Sequence, residues 1–226
     1  MNPVQLYKKI PKNLINEKIK DELLSFFSNQ PKPITGIGSI LLKELTKDGS
    51  IQWSDLIDLI GYFHQKRKED EDIWNTNKRK HFGIYYTPYS IARRLVSETV
   101  GNSIEDVENK TFYEPCVGSG VFIIAYLDEI IERSKDINSK FIQKIIDNIY
   151  YSDIDEDAVG LFESILVRYI EGRYGVTIKP KKENKFIGDV LFSMSSDGLQ
   201  IKKVNPKDIF NVDGFDFIIT NPPYKL

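Results

Sequence analysis

The sequence predicts an α/β fold, in which helices cover a mostly parallel sheet and a small helical region comes first. Two observations carry this prediction. From about residue 82, short apolar runs typical of strands alternate with amphipathic stretches of helical period, whereas residues 1–80 show helical periodicity alone. Because helices separate the strands, right-handed crossovers between parallel strands are expected. We therefore divide the chain into an N-terminal helical region, 1–80, and an α/β domain, 81–226.

Length and composition limit the class of protein. With 226 residues, 41% of them hydrophobic and 28% charged, the chain is expected to be globular. No apolar run approaches the length of a bilayer span, and no secretory signal opens the chain, so a cytoplasmic location without a membrane partner is expected. A net charge of −2 does not predict tight nucleic-acid binding by the whole surface. The single cysteine excludes an internal disulfide and a cysteine-rich zinc site.

Three amphipathic helices are predicted in the N-terminal region. The second is closed by Gly49, and the third has Ser54 as its N-cap. The three helices cover about residues 15–27, 37–45 and 55–68. The polar run at 66–80 is interpreted as a linker or exposed segment. We identify no residue for chemistry in this region.

Four strands and two long helices are predicted in the α/β domain. The strands have the sequences FYEP, IYYSDI, FIGDV and FDFIIT. The helices run over residues 120–134 and 156–172. Ligands of such sheets bind just beyond the carboxyl ends of the strands. The residues that follow each strand are therefore the candidates for a binding site.

A glycine-containing turn, Glu-Pro-Cys-Val-Gly-Ser-Gly at 114–120, follows the first strand of the domain. Gly118 and Gly120 have no Cβ, so a ligand can approach the backbone there, and the next helix offers free N–H groups. The turn indicates a nucleotide-like ligand; judged alone, a turn that binds nothing is an equal alternative. A dinucleotide such as NAD is disfavoured, because Ile123 replaces the third glycine of that fingerprint.

Acidic residues follow the next two strands. Asp153 can accept hydrogen bonds from both hydroxyls of a ribose, because an ionised carboxylate has two acceptor oxygens. Its alternative is a cap at the next helix, a role that suits Asp155 better. Asp189 can accept from an exocyclic adenine amino group for the same reason, although alone it is a weak signal.

The tetrapeptide Asn-Pro-Pro-Tyr after the fourth strand is the most specific feature, and it comprises Asn221, Pro222, Pro223 and Tyr224. Two prolines fix φ and remove two N–H groups, so the Asn221 amide oxygen and the neighbouring carbonyls form an acceptor-only cradle that suits a planar NH₂ group. Tyr224 offers a face for base stacking, worth roughly 1–3 kcal/mol per base. The alternative is a proline-rich turn that ends a strand.

With these motifs, the chain resembles the S-adenosylmethionine-dependent amino-methyltransferases, and most closely the gamma-type adenine-N6 DNA methyltransferases of restriction-modification systems. The resemblance covers residues 82–226 and includes the segment Gly-Ile-Tyr-Tyr-Thr-Pro at 83–88. Within that segment, Thr87 is also predicted to be a helix N-cap, with Pro88 at the first helical position. The resemblance implies a partial Rossmann-like methyltransferase sheet.

The resemblance implies S-adenosylmethionine as the cofactor and gives each motif residue a role. Thr87 would help to hold the methionine carboxylate, and the 114–120 loop would wrap the methionine and the ribose. Asp153 would bind the ribose, Ile154 would pack on the adenine ring, and Asp189 would accept from the adenine amino group. The implied cofactor-binding residues are Thr87, Glu114, Pro115, Cys116, Gly118, Gly120, Asp153, Ile154 and Asp189.

The cradle predicts a mechanism for methyl transfer to a flipped adenine. The base leaves the duplex stack, which costs a few kcal/mol. The Asn221 side-chain oxygen and the Pro222 carbonyl would accept the two N6 hydrogens, so that charge can build on nitrogen during in-line attack on the sulfonium methyl group. Tyr224 would stack on the base.

The chain ends two residues after Tyr224, whereas the sheet of the family continues and a recognition domain follows. We therefore expect an N-terminal part of a longer methyltransferase, a truncated reading frame or half of a split enzyme, inactive by itself. Double-stranded DNA would bind through the missing domain, and a complementary polypeptide could supply the remaining strands. The basic clusters at 66–68, 78–80 and 179–185 are interpreted as solvated faces.

Two other functions stay open. Asn-Pro-Pro-Tyr also occurs in enzymes that methylate protein glutamine amides or exocyclic amines of structural RNA, although the Tyr-Tyr-Thr-Pro segment argues against them. Alternatively, the chain is a non-catalytic cofactor-binding module whose exposed sheet edge pairs with a partner chain.

Overall fold

The structure is a computed structural model of the chain. It describes residues 5, 6, 8, 10, 17–28, 33, 36–47, 50–70, 86–101, 105–135, 137–194 and 201–222. Two predicted site residues, Pro223 and Tyr224, lie outside the described residues, as do Gly49 and the first half of the Gly-Ile-Tyr-Tyr-Thr-Pro segment.

Helices and short strands alternate through the α/β domain as predicted. The helices are α1 Glu17–Ser25, α2 Gly36–Leu45, α3 Trp53–Asp70, α4 Tyr89–Val100, α5 Val121–Arg133, α6 Ser139–Ile146, α7 Glu156–Tyr174 and α8 Pro206–Phe210. The strands are β1 Thr46–Lys47, β2 Ser50–Ile51, β3 Phe112–Glu114, β4 Ile149–Asp153, β5 Lys185–Ile187, β6 Phe192–Met194, β7 Ile201–Lys203 and β8 Phe217–Ile218. None of the described helices has both the length and the apolar character needed to cross a membrane.

A parallel sheet with the order β5-β4-β3-β8 forms the centre of the α/β domain. Tyr113 of β3 lies opposite Tyr150 of β4 on one side and Ile218 of β8 on the other. The chain runs outward from β3 through β4 to β5 and then returns to place β8 on the far side of β3. Ligands of open α/β sheets bind at such a reversal, in the crevice beyond the carboxyl ends of the strands, which here are β3 and β8. The predicted α/β class is confirmed, as a partial Rossmann-like sheet.

Helix α5 is buried on every face, because all of its residues 121–131 are buried. Two acids of this helix are buried, and one of them, Asp128, has no solvent exposure. The hydroxyls of Tyr169 and Tyr174 donate to Asp128 Oδ1 over 2.7 and 2.8 Å, and the Tyr89 hydroxyl also donates to the carboxylate. The Arg173 guanidinium lies 3.4 Å from Oδ2. This polar cluster joins α4, α5 and α7 inside the core.

The helical region packs on the α/β domain through a shared core. Phe27 and Trp53 stack with ring centroids 5.5 Å apart, and both meet Tyr169 of α7 edge-on, at 5.9 and 5.8 Å. The backbones of Phe27 and Gly172 also lie close together, since a Cβ on Gly172 would be 1.8 Å from the Phe27 carbonyl oxygen. The division of the chain near residue 80 stays a prediction.

One predicted boundary in the helical region was wrong. Helix α3 begins at Trp53, and the Gln52 carbonyl accepts from the Leu56 N–H, so Ser54 lies inside the first turn and is not the N-cap. The same helix continues through Asp70, so the first residues of the polar run at 66–80 are helical.

Two short helices and two antiparallel strand pairs, one of them β1-β2, were not anticipated from the sequence. Helix α6 begins after Asn138, whose side chain accepts from the Phe141 N–H, and α8 begins after Asn205, with Pro206 at its first position. The antiparallel pair β6-β7 forms a separate small ribbon. Both helices carry sequence signals at their starts, but each is short.

Candidate active site

The loop after β3 is bound directly to the end of β4. The Gly118 N–H donates to Asp153 Oδ2 over 2.9 Å, and the Val117 N–H donates to the Ser152 carbonyl over the same distance. The Ser152 hydroxyl in turn donates to the Pro115 carbonyl at 2.8 Å. These bonds bring the predicted 114–120 loop and the predicted ribose-binding acid together at one edge of the sheet.

Each carboxylate oxygen of Asp153 accepts a hydrogen bond from a backbone N–H. Oδ2 accepts from the Gly118 N–H, and Oδ1 accepts from the Asp155 N–H over 3.0 Å. A carboxylate has about four acceptor sites, so Asp153 keeps capacity for a further donor. Burial raises the pKa of Asp153, while the backbone N–H donors oppose the rise. The N-cap of α7 is Asp155, whose side chain accepts from the Asp157 N–H, as expected.

Gly118 and Gly120 are required for different reasons. Both have positive φ, 50° and 75°, a conformation that favours glycine. A Cβ on Gly120 would lie 1.9 Å from the Phe162 ring, so this residue permits close packing of the loop on α7. A Cβ on Gly118 would have no described atom within 4 Å, which leaves its backbone accessible. The loop is therefore anchored at Gly120 and open at Gly118.

Glu114 ends β3 with 1% of its surface exposed. Its Oε2 atom has no hydrogen-bond partner among the described residues. Burial raises the pKa of Glu114 well above its ordinary range, and the nearby Asp153 charge raises it further. A buried acceptor of this kind is costly unless a donor reaches it.

Cys116 is half-buried beside the Thr220 side chain. Burial, reinforced by the Asp153 charge, raises the pKa of its thiol to about 11. Cys116 therefore stays protonated at neutral pH and is unsuited to act as a nucleophile.

The loop after β8 meets the segment that precedes α4. The Asn221 side-chain Nδ2 donates to the Thr87 hydroxyl oxygen over 2.9 Å. The Ile219 N–H donates to the Tyr113 carbonyl over 3.3 Å, which keeps this loop aligned with the end of β3. Two motifs from opposite ends of the α/β domain therefore lie side by side in the crevice.

The predicted N-cap role of Thr87 was wrong. Pro88 is the N-cap of α4, and its carbonyl accepts from the Ile91 and Ala92 N–H groups. The Tyr89 N–H is satisfied by the Asp58 side chain over 2.7 Å. Asp58, 31 positions away in the sequence, takes this donor, and the Thr87 hydroxyl accepts from Asn221.

The residues beyond β4 and β5 form the more open side of the site. Ile154 is 70% exposed. Asp189 is exposed, and its Oδ1 accepts from the Leu191 and Phe192 N–H groups. The Gly188 N–H donates to the Asp153 carbonyl over 2.9 Å and holds the end of β5 against that of β4.

A family model described as N-6 DNA Methylase matches residues 72–226, which is more than half of the chain. The chain belongs to the N-6 DNA Methylase family. This match covers the whole crevice, from Thr87 through the glycine loop to Asn221. A comparison with curated proteins gives no significant match.

Two solved structures are similar to this N-6 DNA Methylase chain. The DrdV–DNA complex shares 16% identity over 99% of this chain and 25% of its own, with a TM-score of 0.47. The ATP-dependent Type ISP restriction-modification enzyme LlaBIII bound to DNA shares 14% identity over 92% of this chain and 16% of its own, with a TM-score of 0.44. The chain thus spans a quarter or less of either protein.

Helix α3 adds residues to the crevice that sequence analysis missed. Asp58 accepts from the Tyr86 hydroxyl as well as from the Tyr89 N–H, and Gln65 Oε1 accepts from the Tyr86 N–H over 2.8 Å. A Cβ on Gly61 would lie 2.8 Å from the Tyr86 ring. The only signal in the sequence was an acid within the apolar run Leu-Ile-Asp-Leu-Ile at 56–60.

Proposed function

We propose that this chain is the cofactor-binding and catalytic-loop part of a gamma-type adenine-N6 DNA methyltransferase of a restriction-modification system. The observation that carries the proposal is the hydrogen bond between Asn221 and Thr87. It joins the acceptor cradle proposed for the target amine to the residue proposed to hold the cofactor carboxylate.

The residues of the crevice fit S-adenosylmethionine. Asp153 retains acceptor capacity for a ribose diol, and the Gly118 backbone is accessible. The unpartnered Oε2 of Glu114 suits a cationic or N–H donor such as the methionine ammonium group. Ile154 and Asp189 are exposed where an adenine ring would be bound. When bound, this cofactor supplies a methyl group activated on a sulfonium sulfur.

The chain's own residues would orient the target amine. With Nδ2 of Asn221 donating to Thr87, the Oδ1 atom is the end of the amide that can accept from N6 of adenine. The Pro222 carbonyl would accept the second hydrogen, and these dipoles would stabilise positive charge as it builds on nitrogen. Pro223 would stiffen the loop and Tyr224 would stack on the flipped base, as the sequence motif implies.

Double-stranded DNA is the proposed partner. Recognition of DNA and the remaining strands of the sheet would come from a further part of a longer chain or from a complementary polypeptide. Support comes from β8, which pairs with β3 alone among the described strands and leaves Ile218 56% exposed. A sheet edge of this kind favours pairing with an added strand.

Calorimetric titration of the chain with S-adenosylmethionine tests the cofactor, with NAD as the matched nucleotide control. We expect heat of binding with the first ligand alone. The substrate is then tested with the complemented enzyme, which is this chain together with the part that supplies the remaining strands and DNA recognition. Transfer of a labelled methyl group to DNA, structural RNA or protein is measured. Absence of S-adenosylmethionine uptake contradicts the proposal, and label in RNA or protein instead of DNA contradicts its substrate.

A further inference from the structure

Helix α3 of the N-terminal region anchors the segment around Thr87 from both sides. Before Thr87, the Tyr86 N–H donates to Gln65 over 2.8 Å, and the Tyr86 hydroxyl donates to Asp58. After Thr87, the Tyr89 N–H donates to the same Asp58 oxygen over 2.7 Å. Two residues of one helix therefore fix the backbone on either side of Thr87.

The position of Asp58 is unfavourable for a charged carboxylate. It is half-buried, and residues 56, 57, 59 and 60 around it are fully buried and apolar. A carboxylate taken from water into such surroundings is unfavourable unless donors satisfy it. Burial does raise the pKa of Asp58, whereas the Tyr86 hydroxyl and the Tyr89 N–H favour its charged form. The donors that compensate Asp58 come from the segment that carries Thr87.

Helix α3 also lies against the other loops of the crevice. A Cβ on Gly61 would come within 2.9 Å of the Ser119 hydroxyl in the glycine loop. The His64 imidazole Nε2 lies 3.8 Å from Asp155 Oδ2, at the start of α7. A helix outside the predicted catalytic domain thus contacts three of the segments that form the crevice.

We propose that Asp58 is a positioning residue of the methyltransferase site. Through Tyr86 and Tyr89 it fixes the backbone of Thr87. The Thr87 hydroxyl can then accept a hydrogen bond from the Asn221 side-chain N–H and donate one to the cofactor carboxylate. The N-terminal helical region is then a part of the active site. This inference rests on the proposed function, since it assigns Asp58 a purpose at the same crevice.

The test compares three variants of the full chain by calorimetry with S-adenosylmethionine. Asp58→Ala removes both acceptor contacts, and we expect affinity to fall about tenfold or more. Asp58→Asn keeps an acceptor oxygen in the same place and is expected to recover most of that loss. Asp21→Ala changes an exposed acid on α1 and is expected to have no effect.

A double-mutant cycle separates positioning from general stability. If Asp58 acts through Thr87, Asp58→Ala costs far less affinity in a Thr87→Ala background than in the wild-type chain. Fully additive losses would overturn the proposal, as would wild-type affinity in a folded Asp58→Ala variant.

Gln65→Ala keeps the test decisive if Asp58→Ala does not fold. This variant removes one anchor of Tyr86 only, and an affinity loss of a few fold is expected. Unchanged affinity in that variant, together with an affinity of Asp58→Asn far below that of the wild type, refutes the role of α3. If the wild-type chain binds no S-adenosylmethionine, the proposed function itself is refuted. If the wild-type chain binds it and Asp58→Ala binds it equally well, only the role of Asp58 is refuted.

Discussion

Asn221 donates its side-chain N–H to the Thr87 hydroxyl over 2.9 Å, although the two residues are 134 positions apart in the sequence. The bond joins the loop that leaves β8 to the segment that precedes α4. A hydroxyl has one donor and two acceptor sites, so Thr87 can accept from Asn221 and still donate to another group. Under the proposed function, cofactor binding and orientation of the substrate amine would be linked through the Thr87 side chain.

Asn221→Ala is expected to abolish methyl transfer by the complemented enzyme and to leave cofactor affinity nearly unchanged. Removing one oriented dipole that stabilises a transition state typically costs about 10²–10³ in rate. Labelled methyl transfer and calorimetry measure the two effects separately. Asn109→Ala, at an exposed position in a turn, is the matched control and should retain activity. Retained turnover in Asn221→Ala would show that the amide is not the acceptor.

Gly120→Ala is expected to destabilise the fold far more than Gly175→Ala. Both glycines have positive φ, 75° and 66°, so both variants carry similar backbone strain. The added methyl group at residue 120 would also overlap the Phe162 ring, whereas residue 175 faces open space. Overpacking of this kind costs about 1–3 kcal/mol beyond the shared strain. Urea denaturation measures the difference, and equal losses would mean that the loop shifts freely from α7.

Much of the α/β domain could be predicted from the sequence, because local periodicity and strand ends carry the information. The alternation of strand and helix gave the parallel sheet. Parallel strands bring their carboxyl ends to one edge, so Asp153 was expected near the glycine loop, and the Gly118 bond confirms this proximity. The expectation that Asp155 caps α7 follows from short-range hydrogen bonding and is also confirmed.

The contribution of α3 could not be predicted, because it depends on packing between segments far apart in the chain. Thr-Pro before an apolar helix is a good local N-cap signal, yet Asp58 takes the Tyr89 N–H and leaves Thr87 for Asn221. Nothing in the local sequence reports that competition. An acid inside an apolar run indicates a buried partner, but it does not say which one.

Asp128→Ala is expected to destabilise the protein by about 3–5 kcal/mol, because it removes the acceptor of a buried charged cluster. The hydroxyls of Tyr169 and Tyr174, which donate over 2.7 and 2.8 Å, would lose their partner inside the core, and Arg173 would lose a buried countercharge. Glu132→Ala is the control, since its side chain is 47% exposed and its ion pairs are expected to contribute about 0–1 kcal/mol. Thermal and urea denaturation give both values. A loss in Asp128→Ala no larger than in Glu132→Ala would contradict the role of the cluster.

Glu114 predicts a specific dependence of stability on pH. Burial and the Asp153 charge raise its pKa in the folded state well above the ordinary value of 4.5. As the pH rises above that value, the unfolded chain releases the proton first, so the folded state binds more protons and stability falls until the raised pKa is passed.

Glu114→Gln removes this titration. The variant is therefore expected to gain stability relative to the wild type as the pH increases through this window. Urea denaturation from about pH 4 to 8, a range that begins near the ordinary pKa of carboxyl groups, measures this difference in stability. Glu108→Gln, at a half-buried position, is the control. A difference between wild type and Glu114→Gln that stays constant with pH would show that the Glu114 carboxyl titrates alike in both states.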